Sequence, residues 1–385
     1  MTGLAEGSRT EPEQAIGGRA WREGALRAQE AALPPGRAVV SCSVGLGSGG
    51  LGRHAKEIVD AFDRVGRPAI PICGRDPASL PARAWHERVW RRSVNAALAL
   101  PPLHLAAGQR VLRHSREFDL YASARMPAAE HLIGFNGTSL EQVRAASRRG
   151  IESTAIVSAT SHFRLLMRQH ALAHRQYPLE ESWATRVLER NLSEYAAVDR
   201  IYVSSRYVRD SFLAEGLREE ALVPFPLTPD PRFEQAPVSS RSSTFDVVFV
   251  GSLSVVKGAP LLIDAVRALP HADMRLLLIG GWKSRGMRRF VEQACARDPR
   301  ISTSHGDPLP YLSGARLCVH PTYNDGFGYA PVEAIACGVP ALVSEDTGMK
   351  DLIEPGRNGL VLPTGDLAAL TEALDAAYRG ELLGG

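Results

Sequence analysis

Leu317-Cys-Val-His-Pro-Thr-Tyr-Asn-Asp-Gly-Phe-Gly-Tyr-Ala-Pro-Val-Glu-Ala-Ile-Ala-Cys-Gly-Val-Pro340 is the stretch whose reading decides the fold. It opens as a short apolar strand, Leu317-Cys318-Val319, and turns at His320-Pro321, where a proline ends the ladder. A glycine-flanked loop, Asp325-Gly326-Phe327-Gly328, leads to a helix near Ala330-Pro331, with proline tolerated in the first turn. The helix stops at Gly338, before the next apolar run, Ala341-Leu342-Val343. A strand, a glycine loop and a helix start leave free backbone N–H groups and a positive dipole end for an anion. Asp325 precedes the helix and Glu333 lies eight positions on, so carboxylates stand ready for vicinal hydroxyls. A sugar nucleotide carries both phosphate and hydroxyls. The pattern also fits a capped, buried helix of a doubly wound sheet, with Glu333 solvated or paired with the dipole.

Outward from this stretch, strand and helix alternate in both directions. Upstream, Phe245 to Val250 reads as a strand, Gly251 to Gly258 as a loop and Pro260 to Leu269 as a helix. Lys257 in that loop is placed to reach a phosphate, or is a surface lysine near a helix start. The next strand, Met274 to Ile279, ends in Gly280-Gly281, and another ends near His305, a crevice or solvated histidine. Val223 to Ser243 is rich in proline and serine and reads as the connection between two halves.

The first half repeats the pattern from Ala38 to Ser205, which implies a parallel sheet covered on both faces. Its first strand, Ala38 to Val44, meets Gly47-x-Gly49-x-x-Gly52 and an amphipathic helix to about Val65. That loop also fits the dinucleotide fingerprint, with Asp76 where a ribose-binding acid would lie. His162 follows the strand Ser153 to Ser158, either pointing into the crevice or serving as a capping or core histidine. A long helix is expected from Tyr177-Pro178 to Ala197. These boundaries give a flexible extension at 1–37 with a short helix around Trp21 to Ala32, a first domain at 38–235 and a second domain at 236–385.

Composition narrows the function classes. A chain of 385 residues is long enough for two cores. A net charge of +3 is too small to argue for nucleic acid, and no apolar run reaches the roughly 18 residues of a membrane span. Five scattered cysteines without metal spacing suit buried thiols in a reducing, cytoplasmic compartment. The arginine-rich stretch 80–120, with Trp85 and Trp90, reads as a solvated helical face or as one for a membrane surface or acidic partner. Peripheral contact with the inner membrane face is therefore an added expectation.

The second half resembles the retaining glycosyltransferases of the "group 1" family, family 4. The resemblance is carried by Phe249 to Gly258, Leu278-Ile279-Gly280-Gly281, His320-Pro321 through Asp325-Gly326-Phe327-Gly328 to Glu333-Ala334, and Gly338-Val339-Pro340 with Ser344 to Leu352. It implies the GT-B fold, two facing Rossmann-like α/β domains, and transfer of a sugar from a UDP- or GDP-sugar to a hydroxyl of a glycan, lipid-linked or small-molecule acceptor. It also implies that Asp325 contacts the donor sugar, Glu333 grips the ribose, Phe327 and Gly328 offer amides, and Lys257 neutralises the departing diphosphate. Gly251, Ser252, Gly280 and His305 would complete the donor site, and Gly50 and His162 would approach from the first domain. No cofactor or metal is expected, since the nucleotide sugar is the substrate and the chain has no Asp-x-Asp. The family usually has glutamate where Asp325 stands, and many members have arginine where Ser252 stands. The family also usually continues beyond a point such as Arg379 into helices that cross back to the first domain, so closure is expected to be looser. An NAD-dependent oxidoreductase and a catalytically degenerate nucleotide-sugar-binding protein are the alternatives.

Overall fold

The structure is a computed structural model and describes residues 19–74, 107–234 and 243–382. Asp76 and residues 75–106, with the two tryptophans, lie outside the described residues.

Two six-stranded sheets form, and every strand pairing within them is parallel. The first contains β1 (Ala38–Cys42), β2 (Ile70–Cys73), β3 (His131–Phe135), β4 (Ser153–Ser158), β5 (Arg200–Val203) and β6 (Leu222–Pro224). The second contains β7 (Phe245–Val250), β8 (Met274–Ile279), β9 (Ile301–Ser304), β10 (Leu317–His320), β11 (Ala341–Ser344) and β12 (Gly359–Leu362). Strands such as β1, β3 and β10 are buried at every residue, as expected when helices cover both faces. This is the expected GT-B architecture.

The strand orders are β2-β1-β3-β4-β5-β6 and β12-β11-β10-β7-β8-β9. In the second sheet the chain winds one way through β7, β8 and β9, then returns to the other side of β7 as β10. The order therefore reverses between β7 and β10, and a crevice opens beyond their carboxyl ends. The loops that leave those two strands carry Lys257 and Asp325.

Three local expectations are corrected. The extension 1–37 is not loose over its described part. Helix Arg19–Ala31 packs against the first domain, with Ala25 and Leu33 buried and Arg22 donating to Glu234 at 2.8 Å. Its apolar face, weak in the sequence, finds a ready partner in the helix Gly49–Arg64. The long helix expected from Tyr177 to Ala197 starts only at Ala184, and Tyr177 instead ends the preceding helix, Phe163–Gln176. Pro178 lacks an N–H and restricts Tyr177, which adopts extended backbone as the C-cap. The connection Val223 to Ser243 begins as structure. Leu222 to Pro224 pairs with β5, and Phe225, Leu227 and Phe233 are buried.

The loop after β3 shows how this chain satisfies its own helix starts. Glu194, fully buried, accepts from the backbone N–H groups of Ser139 at 2.8 Å, Leu140 at 3.1 Å and also Gly137. Asp119 accepts from the N–H groups of Glu141 at 2.7 Å and Gln142 at 3.0 Å, and Arg190 pairs with it. This helix N-terminus is thus occupied by internal carboxylates. Glu194→Ala strands these buried backbone donors and is expected to lower unfolding stability by about 3 kcal/mol. Urea unfolding of the purified variant measures it, and an unchanged midpoint would refute the capping role.

Candidate active site

The site is built from the loops that leave β7, β8 and β10. These strands lie side by side, about 5 Å apart, so what their loops carry is brought to one edge. After β7 the chain passes Gly251 and Ser252 to Lys257 and then starts the helix Ala259–Ala268. Gly258 takes φ 73°, and a Cβ there would lie 1.9 Å from the carbonyl oxygen of Pro321. Only glycine allows the loop after β7 to meet the loop after β10 this closely.

That approach puts Lys257 Nζ 2.6 Å from Asp325 Oδ2. His320, the last residue of β10, places Nε2 3.0 Å from the same oxygen. Burial works to raise the carboxyl pKa, but Lys257 first and His320 second outweigh it and hold Asp325 well below the usual carboxylate range. Both cationic or donor groups address Oδ2, which leaves Oδ1 to accept from another hydroxyl.

Beside this cluster, at the ends of β7 and β8, lies an open cleft of about 420 Å³. Gly251, Ser252, Gly280, Gly281, Trp282 and Gly306 line it. His305 is exposed next to Gly306, its ring 6.0 Å from that of Trp282. Gly328 is the N-cap of the helix Tyr329–Ala336 with φ 90°, and no side chain caps that helix start. The Phe327 side chain is in the core, 5.1 Å from the Tyr329 ring, so only its backbone is available to a ligand.

Glu333 sits in the second turn of this helix and is 3% exposed. Its Oε1 pairs with Arg53 Nη2 of the first domain at 2.5 Å. Burial pushes its carboxyl pKa up, and the Arg53 guanidinium pulls the other way. Gly50, in the first turn of the same first-domain helix, faces the Tyr329 ring, to which a Cβ would come within 4.0 Å.

The two domains are closely joined around the site. A Cβ at Gly326 would lie 2.3 Å from the Ala159 carbonyl oxygen, and Ser205 Oγ donates to the Gly326 carbonyl at 2.7 Å. Asn324 Nδ2 donates to Ser161 Oγ at 2.6 Å and to Tyr207 Oη at 2.7 Å. Gln169 and Asp346 meet at 2.7 Å, and Glu180 accepts from the Val255 N–H at 2.9 Å.

Most of the residues expected in the second domain therefore converge. Lys257 and Asp325 touch, Gly251, Ser252 and Gly280 line the cleft next to them, and Gly328 and Glu333 belong to the helix that follows Asp325. His162 does not join them. It is the N-cap of the helix Phe163–Gln176, 3% exposed, with its ring 4.9 Å from Tyr195 and 5.0 Å from Phe212. Burial lowers its pKa to about 4, so it is neutral at physiological pH. Two residues were missed. His320 had a readable signal, a histidine at the carboxyl end of a buried strand. Arg53 had none, because its partner is 280 positions away in the sequence.

Two Rossmann-like domains, with a charged site at the strand ends of the second, define a protein of the GT-B class. Residues 244–379 match the family model described as glycosyl transferases group 1. Among curated relatives, a D-inositol 3-phosphate glycosyltransferase of Pseudarthrobacter chlorophenolicus is 29% identical over 147 residues, 35% of this chain and 34% of that one. The putative colanic acid biosynthesis glycosyltransferase WcaL of Escherichia coli is 28% identical over 159 residues, 38% of this chain and 39% of that one. The chain thus matches between a third and two fifths of the length of these relatives. Among solved structures, sucrose-phosphate synthase from Thermosynechococcus elongatus superposes with a TM-score of 0.64 at 18% identity, over 90% of this chain and 92% of that one. Anabaena HepE in complex with UDP-glucose gives 0.57 at 16% identity, over 90% of each chain. These two show the fold.

Proposed function

We propose that the chain is a family 4 glycosyltransferase that moves a sugar from a UDP- or GDP-sugar to a hydroxyl acceptor with retention of anomeric configuration. The observation that carries this reading is the Lys257–Asp325–His320 cluster at the switch point of the second sheet, beside the 420 Å³ cleft. The solved complex of HepE with UDP-glucose supports a nucleotide-sugar donor.

In this reading the nucleotide enters the cleft at Gly251, Ser252 and Gly280, and Glu333 accepts from ribose hydroxyls. Asp325 offers Oδ1 to the donor sugar. During transfer the bond between the anomeric carbon and the diphosphate oxygen breaks, and the diphosphate leaves with the electron pair. A bond to the acceptor oxygen forms, and the acceptor proton passes to the departing diphosphate oxygen. The charge that grows on the diphosphate meets Lys257 and the uncapped N–H groups at Gly328, which favour the transition state over the ground state. Fixed protein charge supplies this without calling on a metal. The acceptor is a hydroxyl of a glycan, a lipid-linked saccharide or a small metabolite. Five free cysteines support a reducing, cytoplasmic setting. Among the described residues no helix is long and apolar enough to cross a membrane.

Isothermal titration with a panel of UDP-, GDP- and ADP-sugars is expected to show saturable binding of at least one. Folded protein that binds none would overturn the reading, and saturable enhancement of NADH fluorescence would favour the dinucleotide alternative at Gly47-x-Gly49-x-x-Gly52. The inward-facing His162 is the observation on the side of a binding protein without turnover. Donor binding with neither transfer nor hydrolysis, across an acceptor screen read by mass spectrometry, would favour that one.

A further inference from the structure

We infer that Arg53, a first-domain residue, is a positioning residue of the donor site, orienting Glu333 and favouring its charged form so that the ribose grip is complete only when the two domains are together. The inference rests on the reading of Glu333 as the ribose-binding acid and adds the residue that makes it competent.

The geometry supports this in three ways. First, Glu333 is 3% exposed and pairs with Arg53 at 2.5 Å. A carboxylate this deep is costly unless a cation faces it. Second, Arg53 is itself held in place. Its guanidinium carbon lies 4.0 Å above the centre of the Tyr329 ring. Tyr329 in turn donates to Glu57 Oε1 at 2.7 Å, four residues along the first-domain helix from Arg53. Glu57 Oε2 accepts from Gln29 at 2.9 Å and from the Thr228 N–H at 2.9 Å. The network joins the first-domain helix, the connection and the second-domain helix, so Arg53 is fixed from both sides. Third, Arg53 engages Oε1, which leaves Oε2 for a ribose hydroxyl.

Other groups near Glu333 do not replace Arg53. Asp230, in the connection, opposes ionisation, and Arg232 beside it favours ionisation more weakly than Arg53 does. Tyr329 on the same helix, Cys318 on β10 and Cys337 at the helix end also face it, and burial holds all three neutral. Burial already raises the Glu333 carboxyl with Arg53 in place, and without Arg53 the carboxyl takes up a proton at still higher pH. A protonated carboxyl loses acceptor capacity for hydroxyls, so affinity for nucleotide becomes pH-dependent.

The test is titration of the full-length protein with UDP and GDP between pH 5.5 and 8.5, on the native chain, Arg53→Ala and Arg53→Lys, with melting curves to establish folding. The native protein is expected to hold its affinity further toward the acid end than Arg53→Ala does. Arg53→Ala is expected to bind at least tenfold more weakly at the acid end and to recover as pH rises. Arg53→Lys, which keeps the charge, is expected to restore the native pH profile and part of the affinity. A folded Arg53→Ala with native affinity at every pH overturns the proposal and leaves the donor site standing. Tighter binding by that variant also overturns it, because Arg53 would then be occupying the site. If Arg53→Ala does not fold, the lysine variant decides: an acid limb displaced upward from the native one despite the retained charge overturns it. Absence of nucleotide binding by the native protein removes the donor reading, and this inference with it.

Discussion

Lys257→Ala is expected to lower turnover by about a hundredfold, the loss typical of one preorganised charge contact in the transition state. The loop after β7 has Ser252 where many members of the resembled family have a second cation, so little in that loop substitutes for Lys257. The lysine is also the leading influence that keeps the Asp325 carboxyl below the ordinary range, against the pull of burial. The sign of the pH effect follows. A carboxylate with a depressed folded-state pKa contributes its stabilisation above the unfolded value and loses it as pH falls through the folded value. In the native protein that window lies below the carboxylate range near 3.8, so activity between pH 5 and 8 carries no titration of Asp325. In the alanine variant burial is opposed by His320 alone, and the acid limb moves toward neutrality. Steady-state rates against pH, with the donor that titration identifies, measure both effects. A variant as active as the native enzyme would remove Lys257 from the mechanism.

Glu333→Ala is expected to weaken nucleotide binding by roughly tenfold to a hundredfold, the range for losing hydrogen bonds to a charged group, about 1.5–3 kcal/mol. The loss falls on binding more than on turnover, because the ribose is remote from the bond that breaks. Its cost to folding is expected to be smaller than that of Glu194→Ala. Arg53, left behind, is 30% exposed and can be hydrated, whereas the donors around Glu194 are buried. Calorimetric affinity for the nucleoside diphosphate, compared with the urea midpoint of the same variant, separates the two quantities. Unchanged affinity would refute the ribose role.

Much of the second domain was legible because its chemistry is local. Proline after β10, glycines in the loop and a carboxylate on each side of the helix start lie within 24 residues. The alternation of apolar runs with helical periodicity announced two parallel sheets. The helix expected to open at Tyr177-Pro178 starts at Ala184, because a proline is as much at home in the turn before a helix as in its first turn. His162 illustrates the limit more sharply. The strand end was placed correctly, yet whether the imidazole turns toward the crevice or toward Tyr195 and Phe212 depends on packing that residues 195 and 212 supply.

The sequence by itself determined the two-domain α/β class, the glycine loops and the placing of Lys257, Asp325 and Glu333 near strand or helix ends, because these follow from backbone preference and hydrophobic period over short distances. Only the tertiary structure decided which charges meet. Lys257 with Asp325 and Arg53 with Glu333 are pairings across 68 and 280 positions of chain. The first is set by strand order and the second by how the two domains close, and periodicity within one segment carries no trace of either.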